Sequence, residues 1–240
     1  MKDKQTNQAT GTIGRRDCSA ALATGLALAS LALGTLVTGQ AQAAGQPGNS
    51  KKTGKDRLIL VLGDSLSAEY GLARGSGWVA LLQQQLERER IAAQVVNASI
   101  SGDTTSGGRA RLAALLTNHR PSHVIIELGG NDALRGLPLQ HTQDNLAWMT
   151  QQAQAAGAQV LLLGMQVPPN YGSDYGRRFS QLFADVAREH KAALVPFFLQ
   201  GVADVPQAAQ WFQADRIHPN AQAQPLMLAN VWPALRKLLR

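Results

Sequence analysis

The sequence predicts a three-layer α/β/α sandwich built around a parallel sheet of five strands. Two features of residues 57–240 predict it: five short aliphatic runs, and a stretch with apolar residues at helical spacing after each run. Strands that are aliphatic along their whole length are typical of a sheet that is covered on both faces. Parallel strands also need a crossover, usually a helix, to return the chain from one strand to the next.

The elements alternate regularly along the chain. The predicted strands are residues 58–62, a short strand beginning at 95–96, 124–128, 160–163 and 193–197. Apolar residues three or four positions apart indicate helices over 78–86, 112–116, 146–156, 179–186 and 228–235. Right-handed crossovers then favour the flavodoxin-like strand order, in which ligands bind at the carboxyl ends of the strands.

Composition and charge exclude several classes of protein. The chain has 240 residues, of which 45% are hydrophobic and 16% charged, so it can form one sizeable core and is not a disordered chain. The formal net charge is +7, with +2 from residues 1–43, +3 from 51–57 and +3 from 236–240, which leaves −1 for residues 58–235. The predicted domain therefore has no face for binding nucleic acid.

The single cysteine, Cys18, lies before the predicted domain. Its position excludes a disulfide, a thiolate metal site and a cysteine nucleophile within the domain. Asp64, Asp103 and Asp132 follow predicted strands, but each can structure its own loop, so no convergent metal ligands are indicated. We therefore expect no metal and no cofactor.

The first 43 residues predict an export signal. Residues 19–50 contain no charged side chain, two arginines precede this run, and its apolar part ends in Ala41-Gln42-Ala43. This pattern is typical of a signal peptide cut after Ala43. Residues 44–56 then form a flexible linker, and residues 57–240 form the domain. We expect the mature protein to be periplasmic or secreted and to have no stable membrane anchor.

Two alternatives concern the same segment. A retained anchor would need about 20 apolar residues, and the run from 20 to 37 is barely that long and only weakly hydrophobic. Arg15-Arg16 leaves a twin-arginine export route open. The ordinary secretory route remains the expectation, because Cys18 stands where the twin-arginine signal has a large apolar residue.

Candidate functional residues follow four of the five predicted strands. Ser65 follows the first strand, Gly102 the second, Asn131 the third, and Asp215 and His218 come after the fifth. Each of them alone fits ordinary local chemistry: a serine helix cap, a glycine turn, an asparagine loop, and surface residues that cap a helix. Their occurrence together, at ends that the fold brings to one edge, favours a functional site.

These residue types supply what acyl transfer requires. A serine on the turn after a strand can be a nucleophile. Asp215 lies three residues before His218, and Pro219 keeps His218 out of the helical region, so the carboxylate can hold one ring nitrogen and leave the other free. Backbone amides and an asparagine at neighbouring strand ends can bind an oxyanion.

Four ordered blocks of the chain resemble those of the SGNH or GDSL hydrolases, in particular the bacterial thioesterase I, lysophospholipase L1 and arylesterase group. The blocks are residues 63–67, 97–103, 129–132 and 215–219, and the resemblance extends to 168–172. It implies the SGNH hydrolase fold, with Ser65 as nucleophile, His218 as base and Asp215 as its partner. It also implies oxyanion donors, namely the Ser65 and Gly102 amides and the Asn131 side chain.

We therefore expect a monomeric serine hydrolase that cleaves small-molecule carboxylic esters or acyl thioesters through an acyl-enzyme intermediate. Substrate choice is expected to lie in two apolar loops, 133–140 and 167–175. The candidate substrate-binding residues are Leu134, Leu137, Val167, Pro168 and Tyr171. The alternative interpretation is that these side chains only pack the loops against the domain.

Two other functions remain open from the sequence. A carbohydrate-ester deacetylase would use the same scaffold and the same residues. A non-catalytic, flavodoxin-like module would instead bind a phosphate or a flavin after the first strand, where Asp64 and Glu69 would repel a phosphate.

Overall fold

The computed structural model describes residues 57–240. The predicted export signal and linker, residues 1–56, lie outside the described residues. The strands are β1 (Arg57–Gly63), β2 (Ala93–Asn97), β3 (His123–Glu127), β4 (Gln159–Leu163) and β5 (Ala193–Val195). The α-helices are α1 (Trp78–Arg88), α2 (Thr105–His119), α3 (Gly130–Leu134), α4 (Leu139–Ala155), α5 (Ser173–Glu189) and α6 (Gln224–Leu238), and single 3₁₀ turns cover Pro169–Tyr171 and Ala208–Trp211.

All five strands are parallel, in the order β2-β1-β3-β4-β5. This is the flavodoxin-like order that the sequence predicts. Helix α1 packs against α6, whereas α2, α4 and α5 pack in succession, so the helices form two separate groups. Every residue of β3 is buried, as expected for a strand in a sheet that is covered on both faces.

Aromatic residues fill the space between the sheet and the helices. Trp78, Phe179, Phe183 and Phe198 are among the largest fully buried side chains. Trp78 packs edge-on against Phe198 with ring centroids 5.3 Å apart, and Phe179 meets Phe183 in the same way at 5.5 Å. Burial of each ring contributes about 1.5–3 kcal/mol, so the core holds the strand ends in fixed positions.

Some predicted boundaries were wrong. β5 ends at Val195 and not at residue 197, because Pro196 has no N–H to continue the ladder. β2 begins two residues before the predicted start, at Ala93. The predicted loop at 129–132 contains the start of a short helix, α3, which follows Gly129 at φ 120°. A residue with a side chain rarely adopts that φ, so glycine at this position allows the abrupt change from strand to helix.

The strand-to-helix connection after β1 is also different from the predicted one. Turns, not a regular helix, follow Ser65, and α1 begins only at Trp78 with Gly77 as its N-cap. The interpretation of Ser65 as a helix cap is therefore wrong. Thr104 does cap α2, since its hydroxyl accepts a hydrogen bond from the Gly107 amide. None of the described helices is long and apolar enough to cross a membrane.

Candidate active site

The fold brings His218 into hydrogen-bonding distance of both Ser65 and Asp215. His218 Nε2 lies 2.9 Å from Ser65 Oγ, and His218 Nδ1 lies 2.7 Å from Asp215 Oδ2. The Asp215 carboxylate also accepts hydrogen bonds from the backbone amides of His218, at 3.0 Å, and Ile217, at 2.9 Å. The His218 backbone and side-chain bonds and the Ile217 amide lower the pKa of Asp215 to about 2.

This ionised carboxylate determines the histidine tautomer. A carboxylate can only accept hydrogen bonds, so Nδ1 of His218 carries the hydrogen that points to Asp215. In the neutral ring, Nε2 then presents its lone pair to the Ser65 hydroxyl. The arrangement is that of a general base next to a nucleophile.

The turn that carries His218 is hydrogen-bonded to the turn after β1. Gln213 donates its backbone N–H to the His218 carbonyl at 2.8 Å and its side-chain amide to the carbonyl of Tyr70 at 2.8 Å. A backbone bridge joins Phe212 to Pro219. These contacts therefore hold His218 and Ser65 in fixed relative positions at the edge of the sheet.

Tyr70 is a site residue that the sequence reasoning missed. Its ring lies over the imidazole of His218, with centroids 4.3 Å apart and planes 39° apart. The side chain is exposed on its other side. The ring therefore limits the rotation of His218 and covers one face of it, and no local pattern around Ser65 indicated this contact.

The candidate oxyanion donors follow three different strands. Within residues 57–240, the backbone N–H groups of Ser65 and Gly102 donate to no protein acceptor. Gly102 has φ 78°, which a residue with a side chain rarely adopts. Asn131 Nδ2 uses one hydrogen on Asp64 Oδ2 at 3.0 Å, so its second hydrogen remains for a ligand.

Arg111 joins the turns that carry two of these donors. Its guanidinium forms an ion pair with Asp103 at 2.8 Å, donates to the carbonyl of Ala98, and reaches the carbonyl of Gly63 at 3.4 Å. These contacts link the end of β1 to the loop after β2. The relative position of the Ser65 and Gly102 amides is thereby fixed.

The three aspartates near the site each have a structural partner. Asp103 pairs with Arg111, and Asp132 accepts from the Thr105 amide at 2.9 Å and from the Thr105 hydroxyl. Asp64 accepts from the Leu66 amide at 3.0 Å in addition to Asn131. No group of three His, Cys, Asp or Glu side chains that could hold a metal occurs in the described part of the chain.

Of the other histidines, which the sequence places in or next to helix and strand bodies, His123 is not on the surface. It is buried in β3, where its ring nitrogens contact the Ser122 hydroxyl and the Leu238 carbonyl. Burial lowers its pKa, which favours the neutral ring.

The candidate substrate-binding residues lie on two different segments. Leu134 is half exposed and belongs to α3, three residues after Asn131. Val167 and Pro168 precede the 3₁₀ turn that contains Tyr171, and the Tyr171 ring stacks on Tyr175 at 6.1 Å. Leu137 is partly buried between α3 and α4. The two predicted loops therefore contain helical residues, which the apolar composition alone did not indicate.

Most of the exposed apolar side chains lie on the segments that carry the candidate site residues. Five large hydrophobic residues are exposed in the described part of the chain, and four of them, Tyr70, Ile100, Leu134 and Ile217, are 49–53% exposed. These four, which we call the apolar rim, lie on the segments that carry Ser65, Gly102, Asn131 and His218. Such a concentration marks a binding surface for an apolar group.

Comparison with known proteins gives one consistent result. Esterase TesA of Pseudomonas aeruginosa is 56% identical to this chain over 183 residues, which are 76% of this chain and 90% of that protein. The protein named thioesterase 1/protease 1/lysophospholipase L1 of Escherichia coli strain K12 is 46% identical over 169 residues, 70% of this chain and 78% of that protein.

A solved structure extends the comparison to three dimensions. The psychrotrophic esterase EstA from Pseudoalteromonas sp., in a crystal structure inhibited by monoethylphosphonate, superposes with a TM-score of 0.72 at 42% identity. The match covers 77% of this chain and 99% of the other. Residues 61–225 also match the family described as GDSL-like lipase/acylhydrolase. The chain therefore belongs to the GDSL-like lipase/acylhydrolase family.

Proposed function

We propose that this chain is a serine hydrolase that cleaves carboxylic esters and acyl thioesters, in the manner of an arylesterase, acyl-CoA thioesterase or lysophospholipase. The observation that carries the proposal is the continuous hydrogen-bonded chain from Asp215 through His218 to Ser65, at 2.7 Å and 2.9 Å. The names of the relatives, which include an esterase and a thioesterase, support the same reaction class.

Acylation begins with Ser65. Its Oγ attacks the substrate carbonyl carbon while Nε2 of His218 takes the hydroxyl proton, and Asp215 stabilises the imidazolium that forms. The carbonyl oxygen becomes an oxyanion, which the Ser65 and Gly102 amides and the free Asn131 N–H can bind. His218 then gives its proton to the leaving alcohol or thiol, and the C–O or C–S bond breaks.

Deacylation repeats these steps with water. His218 takes a proton from a water molecule, whose oxygen attacks the acyl-enzyme carbonyl and forms a second oxyanion. The bond to Ser65 Oγ then breaks, and Ser65 recovers its proton from His218. The acid leaves, and no cofactor takes part in either half of the reaction.

The apolar rim supports an acyl chain or an aryl group as the part of the substrate that is recognised. Each rim residue is about half exposed, so an apolar substrate group that covers it gains burial without displacing protein contacts. A sugar would need hydrogen-bonding side chains at these positions. The rim therefore favours acyl and aryl esters over the carbohydrate esters that a deacetylase cleaves.

We also propose that the enzyme is exported. The support is the uncharged run of residues 19–50 and the small residues Ala41 and Ala43. The mature enzyme would begin at Ala44 and act in the periplasm or the medium. Intact-mass measurement of the protein from a periplasmic fraction checks this, and a mass that includes residues 1–43 would contradict it.

A comparison of four substrates tests the proposed reaction. The wild type and Ser65→Ala are assayed with p-nitrophenyl acetate, p-nitrophenyl octanoate, palmitoyl-CoA and acetylated xylan. We expect the wild type to prefer octanoate to acetate, to release free CoA, and to leave xylan acetylated. Cleavage of xylan alone would show a deacetylase, and flavin absorbance without any hydrolysis would show a binding module.

A further inference from the structure

Two acidic side chains lie buried together beneath the active site. Glu127, the last residue of β3, is 1% exposed, and Asp64, the first residue after β1, is 3% exposed. The register of the sheet pairs Gly63 with Glu127. Neither carboxyl forms an ion pair with a lysine or arginine within residues 57–240. Two buried carboxylates without a cation repel each other, so the pair holds a proton.

The hydrogen bonds around Glu127 have a fixed direction. The indole N–H of Trp78 can only donate, and it lies 3.2 Å from Ser67 Oγ. Ser67 therefore accepts from Trp78 and gives its own hydrogen to Glu127 Oε2, at 2.7 Å. The Asp64 amide also donates to Oε2, at 3.3 Å. Oε2 is thus an acceptor in both contacts.

The other oxygen of Glu127 is the one free to carry a proton. Glu127 Oε1 is buried and meets no hydrogen-bond donor in the described part of the chain. Oε1 has no acceptor there either, so both forms leave it unpaired, but an unpaired charge costs much more to bury than an unpaired neutral hydroxyl. Asp64 has the opposite surroundings, because both of its oxygens accept hydrogen bonds, from Leu66 and from Asn131.

The packing around the pair is built for this close approach. A Cβ atom at Gly63 would lie 2.8 Å from Glu127 Oε2 and 2.8 Å from Ser67 Oγ. Any residue other than glycine would therefore displace the carboxyl group or the hydroxyl. Because Gly63 has no side chain, the carboxyl group of Glu127 can lie against the end of β1, beneath Asp64.

We propose that Glu127 is a positioning residue that keeps one proton in the resting enzyme, so that Asp64 remains an anion and holds the Asn131 amide in place to bind the oxyanion. This inference rests on the proposed function, since it assigns a role to the site in which Ser65 acts. Glu127 acts only through Asp64 and Asn131. It is not itself a catalytic residue.

The charges around the pair favour this distribution of protons. Burial, and then the negative charge of Asp64, raise the pKa of Glu127 well above its ordinary value. Burial raises the pKa of Asp64 to about 6, opposed by the hydrogen bonds from Leu66 and Asn131 and by the charge of His218. Arg111 reaches the Gly63 carbonyl, but its ion pair is with Asp103. Near neutral pH the pair therefore carries a single negative charge.

That single charge matters for the oxyanion. An anionic Asp64 orients Asn131 by accepting one of its two amide hydrogens, and the other hydrogen is left for the substrate oxygen. If Glu127 also ionised, a second negative charge would lie beneath the position where the oxyanion develops, and it would oppose the reaction. The proton on Glu127 prevents this.

The proton can be observed directly in the wild-type enzyme. The full chain is labelled with ¹³C at the glutamate carboxyl carbons, and the Glu127 signal is identified by its absence from Glu127→Gln. We expect this signal to keep the chemical shift of a protonated acid at pH 7. A Glu127 signal that has the chemical shift of an ionised carboxylate at pH 7 would overturn the proposal.

The positioning role is tested with two variants of Glu127. In Glu127→Gln the amide oxygen can still accept from Ser67 and from the Asp64 amide, and its NH₂ group can replace the proton. We therefore expect Glu127→Gln to retain kcat within about threefold at pH 7, since it preserves the hydrogen bonds of the neutral acid. Glu87→Gln is the matched control for the same substitution at an exposed site. A Glu127→Gln enzyme that folds but loses activity as Asn131→Ala does would overturn the proposal.

Glu127→Ala separates positioning from general destabilisation. In the wild-type background it removes the acceptor of the Asp64 amide, so Asp64 no longer holds Asn131 in place. We expect kcat to fall by up to about a hundredfold and KM to stay nearly unchanged, as on loss of an oxyanion donor. In an Asn131→Ala background the same substitution should have no further effect on kcat, because the group it positions is already absent. Independent effects in the double variant would overturn the proposal. The NMR result does not depend on activity, so it distinguishes failure of this proposal from failure of the proposed function.

Discussion

Nε2 of His218 lies 2.9 Å from Oγ of Ser65, although 153 positions separate the two residues in the chain. Ser65 is the second residue after β1, and His218 lies in the turn before α6. The contact between Gln213 and Tyr70 joins these two segments by a hydrogen bond of 2.8 Å. The contact between Ser65 and His218 is therefore a product of the fold, since neither segment could form it alone.

Ser65→Ala is expected to abolish hydrolysis without unfolding the protein. Loss of the nucleophile should lower kcat by on the order of a millionfold, as in other enzymes with this triad. A fluorophosphonate should label the wild type and not the variant. Ser76→Ala, in the same loop, is the matched control and should be labelled and active. Ser67→Ala should also still be labelled, because Ser67 is buried and hydrogen-bonded to Glu127. If Ser67→Ala lost the label and Ser65→Ala kept it, Ser67 would be the nucleophile.

Asp215→Asn is expected to lower kcat by roughly ten-thousandfold, because an amide cannot hold His218 in the required tautomer. Stability should respond to pH as well. The pKa of Asp215 is lowered to about 2 in the folded protein from an ordinary 3.8. A lowered pKa contributes stability that is present above the unfolded value and is lost as the pH falls through the folded value. Urea unfolding of both proteins between pH 6 and pH 2 checks this: their difference should be constant above about pH 4 and shrink below it.

The sequence predicted the fold and the residues that contact one another at the site because both depend on local patterns. Aliphatic runs predict the strands, and parallel strands bring their carboxyl ends together. The joint occurrence of Ser65, Asn131 and His218 after such strands, together with the resemblance of the four blocks, therefore indicated a site. The helix α3 could not be predicted, since a five-residue helix has no hydrophobic periodicity and Gly129-Gly130 resembles a loop.

Glu127 shows the limit of this reasoning more clearly. Glu127 is the one polar residue of the predicted strand 124–128, and this pattern does not identify its partner. The partner, Asp64, is 63 positions away. Tyr70 gave no signal either, because an exposed aromatic residue in a turn is common. Contacts between side chains of distant segments require the packed structure.

Tyr70→Ala is expected to lower kcat by up to about tenfold, because an aromatic ring contact contributes roughly 0.5–1.5 kcal/mol. Tyr70→Phe keeps the ring over His218 and should retain the wild-type kcat. The Gln213 bond is made to the backbone carbonyl of residue 70, so both variants preserve it. Steady-state kinetics with p-nitrophenyl octanoate check the pair, and equal kcat values for the alanine and phenylalanine variants would contradict a role for the ring.

Glu127→Gln is expected to change the pH dependence of stability. The folded pKa of Glu127 lies well above its ordinary value of 4.5. A raised pKa contributes stability that is fully present below the unfolded value and is lost as the pH rises toward the folded value. The wild type should therefore lose stability relative to Glu127→Gln above about pH 4.5, by at most about 1.4 kcal/mol per pH unit.

Urea unfolding of the two proteins from pH 5 to pH 8 measures this difference. Asp64 contributes a similar loss between pH 3.8 and about 6, but it is present in both proteins and so largely cancels in the comparison. A difference in unfolding free energy that does not vary with pH would show that Glu127 is already ionised in the folded state.

Asn131 can be tested as an oxyanion donor against a purely structural role. Asn131→Ala removes the second N–H and should lower kcat by about a hundred- to a thousandfold. It also removes the 3.0 Å bond to Asp64, and loss of a bond to a charged group costs about 1.5–3 kcal/mol of stability. Activity and stability therefore fall together in this variant, and it does not separate the two roles.

An exchange of the two side chains does separate them. Asn131→Asp alone places a second carboxylate against Asp64. The new carboxylate also places a negative charge next to the oxyanion, and two such charges 4 Å apart repel each other by up to about 4 kcal/mol for an effective dielectric near 20. The double variant Asp64→Asn with Asn131→Asp restores one amide and one carboxylate in contact, so the free energy of unfolding should recover. Its kcat should stay as low as that of Asn131→Ala, because the amide now lies at position 64 and a carboxylate cannot donate to the oxyanion. Recovery of kcat together with stability would instead show that Asn131 only shapes its helix, and that the Ser65 and Gly102 amides bind the oxyanion without it.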